Sequence, residues 1–541
     1  LLIVFNGLKQ FYFNGIYQPF MKKYYTHIGA NLSASIVVLL VALPLCLGIA
    51  LASGAPLFSG IIAGVVGGVA VGLLSGSQLS VSGPAAGLTV IVASAILKLQ
   101  VYEAFLLAVV IAGVMQVAFG YLKAGIIGDY IPNSVIKGML AAIGIILIMK
   151  QFPHLIGYDA DFEGDETFTQ PDQNNTLSAI YAALNTITPT AVIIGLCSIV
   201  LLTVWEKPWI KKNKLLQFVP GPLVVVLLAV MINEIVSVKT GLGRLETKHL
   251  VSLPVAASAS EFISFFTMPD FSFIGNVQVW ISAITLAIVA SLETLLGIEA
   301  VDKLDPLKRV TPPNQELKAQ GVGNIISGLL GGLPLTSVIV RSSANVSAGG
   351  KTKQSTIIHG ILLLLCAALI PALLNKIPLS ALAAILIFTG YKLAKLSLFK
   401  EFYQKGFNQF IPFCATIIAI LFTDLLIGIS VGIAVSLVFI IRSNFKTAVL
   451  VVNDNDNYLI RFRKDVSFLN KPIIKNELEQ LPQNANLVID VARAEYIDKD
   501  VIDEVNSFLC HAHLKNIKVA VKTNPSNAVH GLFLNQQNAS A

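Results

Sequence analysis

LPLTSVIVRSSANVSAGGK, residues 333–351, sets an arginine and a run of small polar residues inside apolar surroundings. Arg341 and the side chains of Ser337, Ser342, Ser343, Asn345 and Ser347 are costly against acyl chains, so they belong in protein interior or along a water-filled cavity. Pro334 and the Gly331-Gly332 pair before it resist helix, which predicts an extended segment followed by a short helix starting at Thr336 or Ser337. A helix that starts halfway through a bilayer aims its free N–H groups and positive dipole end at the cavity, with Arg341 little more than a turn away. Together these make an anion site.

A similar stretch, QLSVSGPAAG at residues 78–87, precedes an apolar run in the first half of the chain. Pro84 suits the first turn of a helix, and Ser82 is a candidate N-cap. Two interrupted helices at corresponding places in two halves are the sequence mark of a transporter's binding site. Gly/Pro kinks in ordinary spans would explain the breaks, but not Arg341.

Of the 541 residues, 55% are hydrophobic and only 13% charged, and apolar runs near the length of a membrane span recur from Asn31 to Arg442. The chain is therefore an α-helical polytopic membrane protein. Its net charge of +7 reads as a bias of loops on one membrane face, since no basic stripe alternates with exposed aromatics, and nucleic acid is excluded as a partner. The five cysteines are scattered singly, and His511 and His513 are wrongly spaced for one helix face, so neither a metal site nor a disulfide framework is expected. No cofactor motif is present. Residues 1–29 read as an N-terminal cytoplasmic or interfacial extension, with Met21 before Lys22-Lys23 as a candidate natural start.

Fourteen spans are expected, seven in each half: 30–53, 57–75, 78–98, 102–122, 131–150, 187–205 and 216–237, then 277–298, 316–332, 334–348, 354–374, 378–396, 408–426 and 427–445. The transmembrane domain covers 30–445, with repeats at about 30–240 and 275–445. Residues 151–186 carry Asp159, Asp161, Glu163, Asp165, Glu166 and Asp172 with no Lys or Arg, whereas the next loop carries Lys207, Lys211, Lys212 and Lys214. The alternation puts the acidic loop outside and both termini in the cytoplasm. Residues 450–541 turn soluble in character, with strands expected at 458–462, 487–491 and 517–521 and helices at 471–481 and 498–514: a small α/β domain.

Several of these stretches resemble the sulfate permease (SulP) family of inorganic anion transporters. They are LPLCLGIALASGAP at 43–56, LSVSGPAAGLT at 79–89, SLETLLGIEAVDKLDP at 291–306 and PLTSVIVRSSANVSAGGKT at 334–352. The tail resembles a STAS domain. The resemblance implies a 7+7 inverted repeat, a homodimer in the cell's inner (plasma) membrane, and an anion held between the N-termini of the third and tenth helices. On that resemblance Ser82, Gly83, Pro84, Ala85, Ala86, Ser337, Val338, Ile339 and Arg341 fall on site positions, with Leu45 and Ile49 of the first span alongside. Many members have a glutamine where this chain has Leu45, which makes the site less polar on that side. In the tail, the Asp-Ser-Ser of phosphorylated bacterial STAS proteins reads Asp498-Lys499-Asp500, so a structural or dimer-supporting role is expected in place of a phosphoswitch.

Glu293 lies deep in the eighth span, with Ala290 and Gly297 beside it leaving room for close approach. As a static partner it would neutralise Arg341; as a coupling residue it would bind and release a proton, removing a charge that repels the anion. Sodium is the rival coupling ion, but Gly297 and Ile339 supply no side-chain oxygen where sodium-coupled bicarbonate carriers of the family place hydroxyls. The expected function is secondary active transport of a small inorganic oxyanion, sulfate or bicarbonate foremost, coupled to protons and working by alternating access. A sodium-coupled bicarbonate transporter, a nucleobase permease of the same fold and a passive anion channel are the alternatives. Arg341 speaks against a neutral nucleobase, and a channel leaves Glu293 without a task. No Ser/His/Asp or metal constellation suggests an enzyme.

Overall fold

The computed structural model describes residues 27–160, 175–211, 219–236, 243–524 and 532–533. It divides into two compact units, Leu1–Ile433 and Ala434–Ala541. The apolar runs of the first unit form α1 (Ile28–Ala52), α2 (Leu57–Leu74), α3 (Ala86–Leu99), α4 (Tyr102–Tyr121), α5 (Asn133–Leu155), α6 (Thr176–Asn185), α7 (Pro189–Trp205) and α8 (Gly221–Ile235) in the first half. The second half contributes α9 (Val277–Leu304), α10 (Pro313–Leu330), α11 (Ile339–Ser347), α12 (Gln354–Leu369), α13 (Leu379–Leu393), α14 (Leu396–Gln404), α15 (Phe407–Phe422) and α16 (Leu425–Ala448). Helix is the answer that lipid forces, since every backbone polar group must be paired within its own segment.

Among the described residues, seven helical stretches are long and apolar enough to cross a membrane, and α6 with α7, bent by 116°, makes an eighth. The shorter apolar helices α3, α8, α12 and α15, with Gly-rich α10 and the short α11, complete the fourteen expected segments. Packing follows an inverted symmetry: α4 lies on α10 as α12 lies on α2, and α9 lies on α4 as α1 lies on α12. The closest crossings occur at paired glycines. A Cβ on Gly321 would sit 2.6 Å from the Gly113 carbonyl oxygen, and one on Gly68 would sit 2.6 Å from the Gly360 Cα. Small residues at such points let two backbones approach where the lipid gives no hydrophobic drive between helices.

Two short strands, β1 (Ser82–Pro84) and β2 (Leu335–Ser337), pair antiparallel in the middle of this unit, with Ser82 opposite Ser337 and Pro84 opposite Leu335. They correct two expectations. Ser82 and Pro84 are extended, not a cap and a first helical turn, and Thr336 and Ser337 are strand as well. The helices begin later, at Ala86 and Ile339, because pairing the two broken segments satisfies their backbone across the molecule, a long-range solution that local propensity cannot register.

Outside the spans, Asp159 accepts hydrogen bonds from two histidines. His154 Nδ1 lies 2.6 Å from Oδ1, and His249 Nδ1 lies 2.5 Å from Oδ2. The neighbouring Val251 N–H donates to the Ile377 carbonyl, so this junction holds the end of α5, the segment before α9 and the turn before α13 together. Five carboxylates of the expected acidic loop, Asp161 to Asp172, lie outside the described residues, as do Lys212 and Lys214.

The second unit carries a four-stranded sheet in the order β3 (Val449–Asp454), β4 (Asn457–Phe462), β5 (Asn486–Asp490), β6 (Lys518–Lys522). β3 and β4 form an antiparallel hairpin, and β4, β5 and β6 run parallel with α17 (Lys471–Glu479) and α18 (Lys499–His511) as crossovers. Ile460, Phe462, Leu487, Ile489, Val501 and Val505 form its core. β3 escapes the sequence reading because its VLVV run follows α16 directly at Val449, with no Gly or Pro between them to mark a boundary. Asp498 caps α18 by accepting from the Asp500 N–H at 3.0 Å.

Candidate functional site

The strand crossing is built by side chains that stand in for missing backbone partners. The Asn324 amide of α10 grips Leu335 from both sides, accepting from its N–H at 2.7 Å and donating to its carbonyl at 3.1 Å. Ser327 donates to the Leu333 carbonyl, Asn345 to the Leu79 carbonyl, and Ser342 accepts from the Val81 N–H at 2.9 Å. Ser80 and Ser337 share a hydrogen bond of 2.7 Å. Gln320, also on α10, donates to Ser82 at 2.6 Å and to Glu316 at 3.0 Å. The small polar residues of the two motifs lie in the interior as expected, apart from Ser347, which is exposed along a cavity, and most of them hold the break open.

From this crossing both half-helices start without a side-chain cap. Ala85 precedes the first turn of α3 and Val338 precedes α11, so neither supplies an oxygen to the exposed N–H groups. Uncapped first-turn donors with a positive dipole end are the groups that hold anions elsewhere. Ala86 follows Ala85 into a 3₁₀ turn, and Ile339 opens α11.

Arg341 is wholly buried, at 0% exposure. Its guanidinium rests against the backbone of β1: a Cβ on Gly83 would collide with Nη1, which is why glycine is required there. Nη2 lies 3.3 Å from Cys46 Sγ, while Nε and Nη1 have no hydrogen-bond partner. His359 on α12 adds two ring nitrogens that are also unpartnered. A buried guanidinium with two idle donors and no ion pair among the described residues is costly unless an anion visits it.

Glu293 meets the same segment further along. It is 8% exposed, and a Cβ on Gly87 would lie 2.9 Å from its Oε1. With Ala86, Gly87, Ile143 and Ile146 it lines a cavity of about 460 Å³, closed by residues 420–427. Gly297, one turn further along α9, lets that helix approach the crossing, since a Cβ there would lie 2.5 Å from the Ser337 carbonyl oxygen. The two charged side chains thus meet the β1-to-α3 segment at different residues, Arg341 at Gly83 and Glu293 at Gly87.

The structure gathers Ser82, Gly83, Pro84 and Ser337 in the crossing, Ala85, Ala86, Val338 and Ile339 at the helix starts, and Arg341 and Glu293 against the segment between β1 and α3. Leu45 and Ile49 are each 4% exposed, and they pack in different apolar clusters of α1. Cys46, between them, is the α1 residue that touches Arg341. Sequence reading missed Cys46, Asn324 and Gln320, although the spacing of Glu316, Gln320 and Asn324 marks a polar stripe on an apolar helix.

A second cavity, of about 300 Å³, lies between Ser33 and Val37 of α1, Ala344 and Ser347 of α11, and residues of α7, α8 and α13. Exchanging the halves maps these helices onto those around the Glu293 cavity.

The fold is that of a helical membrane transporter built from two inverted halves, with paired half-helices at its centre. The sequence profile of the sulfate permease family matches residues 28–441, and the chain belongs to that family. It is 26% identical to YvdB of Bacillus subtilis, named as a sulfate transporter, over 86% of both chains. It is 24% identical to the bicarbonate transporter BicA of Synechocystis, over 80% of this chain and 73% of that protein. Its fold matches the solved transmembrane domain of a cyanobacterial BicA with a TM-score of 0.53 at 24% identity, over 76% of this chain and 98% of that one. It matches SLC26A9 with a TM-score of 0.62 at 16% identity, over 93% and 86%.

Proposed function

We propose that this protein is a secondary active transporter of a small inorganic oxyanion, sulfate or bicarbonate, coupled to protons through Glu293. The observation that carries the reading is Arg341: a fully buried guanidinium with two idle donors, pressed against the segment from which two uncapped half-helices start. An oxyanion offers acceptors to both donor sets at once. The names of the relatives support the same two substrates.

In this scheme Ser82, Gly83, Pro84, Ala85, Ala86, Ser337, Val338, Ile339 and Arg341 form the anion site, with Leu45 and Ile49 as its apolar neighbours. Glu293 takes a proton when the anion enters the cavity beside it, which removes the repelling charge. The helices that carry the site, α1, α3, α9 and α11, move against α5, α7, α8, α13, α15 and α16. The two cavities, related by exchange of the halves, open in turn to opposite faces, which is alternating access. The protein works as a homodimer in the plasma membrane with both termini in the cytoplasm, and its sheet domain is a STAS-like support.

Counterflow in liposomes tests the substrate class. Protein preloaded with unlabelled sulfate should take up labelled sulfate or bicarbonate, and external uracil should not compete. Competition by uracil with no competition by either oxyanion would overturn the assignment in favour of a nucleobase carrier.

A further inference from the structure

Lysines converge on a small cavity of about 190 Å³ at the ends of three helices. Lys137 comes from the first turns of α5, Lys392 from the end of α13, and Lys395 from the link to α14, while Leu140, Leu304 and Leu398 supply an apolar wall. The carboxylates at hand are already engaged. Glu206 holds Lys392 at 2.6 Å, and Glu401, on the rim, holds Lys405 at 2.5 Å. Lys137 and Lys395 make no ion pair among the described residues, and around Lys137 the positive charges of Lys303, Lys308 and Lys405 outnumber the single nearby carboxylate of Glu401.

The helix over this cavity, α14, has an unusual surface. Phe402 is buried and stacks on Phe413 with ring centroids 4.6 Å apart, which fixes the helix on α15. Leu396 and Tyr403 project outward at 85% and 63% exposure, alongside exposed Lys395 and Lys400, and Phe407 at the start of α15 is 65% exposed. A short helix that shows aliphatic and aromatic side chains together with lysines, at the end of membrane spans, belongs in the plane of the lipid headgroups. Basic pockets between helix ends at that level match anionic headgroups in charge.

We infer that this cavity binds the phosphodiester headgroup of an anionic phospholipid. The phosphate meets Lys137 and Lys395, with Lys392 beside them, and the acyl chains lie along the exposed apolar residues of α14. A free phosphoanion shares the charge but has no use for the apolar rim. Leu304 belongs to α9, the helix of Glu293, whereas Lys137 and Lys392 belong to α5 and α13 and Lys395 to the link that follows. A bound headgroup therefore ties the carboxylate-bearing helix to its neighbours at one membrane face.

The full-length protein, equilibrated in mixed micelles with equal phosphatidylglycerol and phosphatidylcholine, tests this by native mass spectrometry of the retained lipid. Each lysine near a membrane surface adds roughly fivefold in affinity for an anionic lipid. The double variant Lys137→Gln/Lys395→Gln should therefore lower phosphatidylglycerol retention by roughly 25-fold and leave phosphatidylcholine unchanged. Glu206→Gln releases Lys392 and should raise phosphatidylglycerol retention, a gain that misfolding cannot imitate. Equal retention by wild type and the double variant overturns the inference. So does displacement of phosphatidylglycerol by millimolar inorganic phosphate, which would assign the cavity to a soluble phosphoanion. None of these readings depends on which anion is transported.

Discussion

Replacing Arg341 with methionine separates binding from stability, because the account gives the two effects opposite signs. Methionine keeps the apolar stem of the arginine and removes the guanidinium. Within the protein that forfeits one contact, Nη2 to Cys46 Sγ at 3.3 Å, while Nε and Nη1 have no partner to lose. Relieving a buried, uncompensated charge should hold or raise the melting temperature of the anion-free protein. Toward the anion the loss is large. Two charge-assisted hydrogen bonds at about 1.5–3 kcal/mol each come to about 3–6 kcal/mol, or a factor of about 10² to 10⁴ in affinity. Labelled sulfate and bicarbonate binding by scintillation proximity, with melting followed by intrinsic fluorescence, reads both quantities. Arg341→Lys should recover part of the affinity, since an ammonium brings the charge without the planar fork. Wild-type affinity in the methionine variant, together with a lower melting temperature, would refute the reasoning and make Arg341 a structural residue.

Three further changes probe the surroundings. Glu293→Gln mimics the protonated carboxyl, so anion exchange should persist with normal melting while acceleration by an inward proton gradient disappears; proton-driven accumulation in that variant would rule out the coupling role. Gly83→Ala places a methyl group on the Arg341 guanidinium and should abolish uptake in a protein that still inserts, measured as uptake per inserted molecule, with normal uptake counting against the packing argument. Burial pushes the Asp159 carboxyl up, but hydrogen bonds and charge from His154 and His249 outweigh it and hold the group below its ordinary value of 3.8. Its stabilisation is therefore complete above that value and lost as pH falls through the folded value; Asp159→Asn should cost about 1–3 kcal/mol at neutral pH and lack this acid step, by pH-dependent thermal melting.

The span boundaries were legible because lipid allows few backbone solutions, and an apolar run of span length has one dominant meaning. Arg341 and Glu293 were legible for the complementary reason: a charge in such a run needs a cause. The extended pairing of Ser82 with Ser337 was not, since its hydrogen bonds join residues from the two halves of the chain, and Pro84 by itself suits a helix start as well as a strand. Nor was the close approach of α9 to the crossing, where Glu293 meets Gly87 and Gly297 meets the Ser337 carbonyl. Leu45 was chosen over Cys46 by position after Pro44, whereas one residue along a helix turns a side chain by about 100°, enough to decide which of them meets the guanidinium.

Net accumulation by purified wild-type protein in liposomes, under an inward proton gradient and without sodium, decides between proton-coupled transport and a passive pathway. Labelled sulfate or bicarbonate should rise inside the vesicles above its outside concentration, and the gain should collapse when a protonophore is added. Equilibration to the outside concentration and no further, with or without the gradient, would contradict proton coupling and indicate a passive anion pathway.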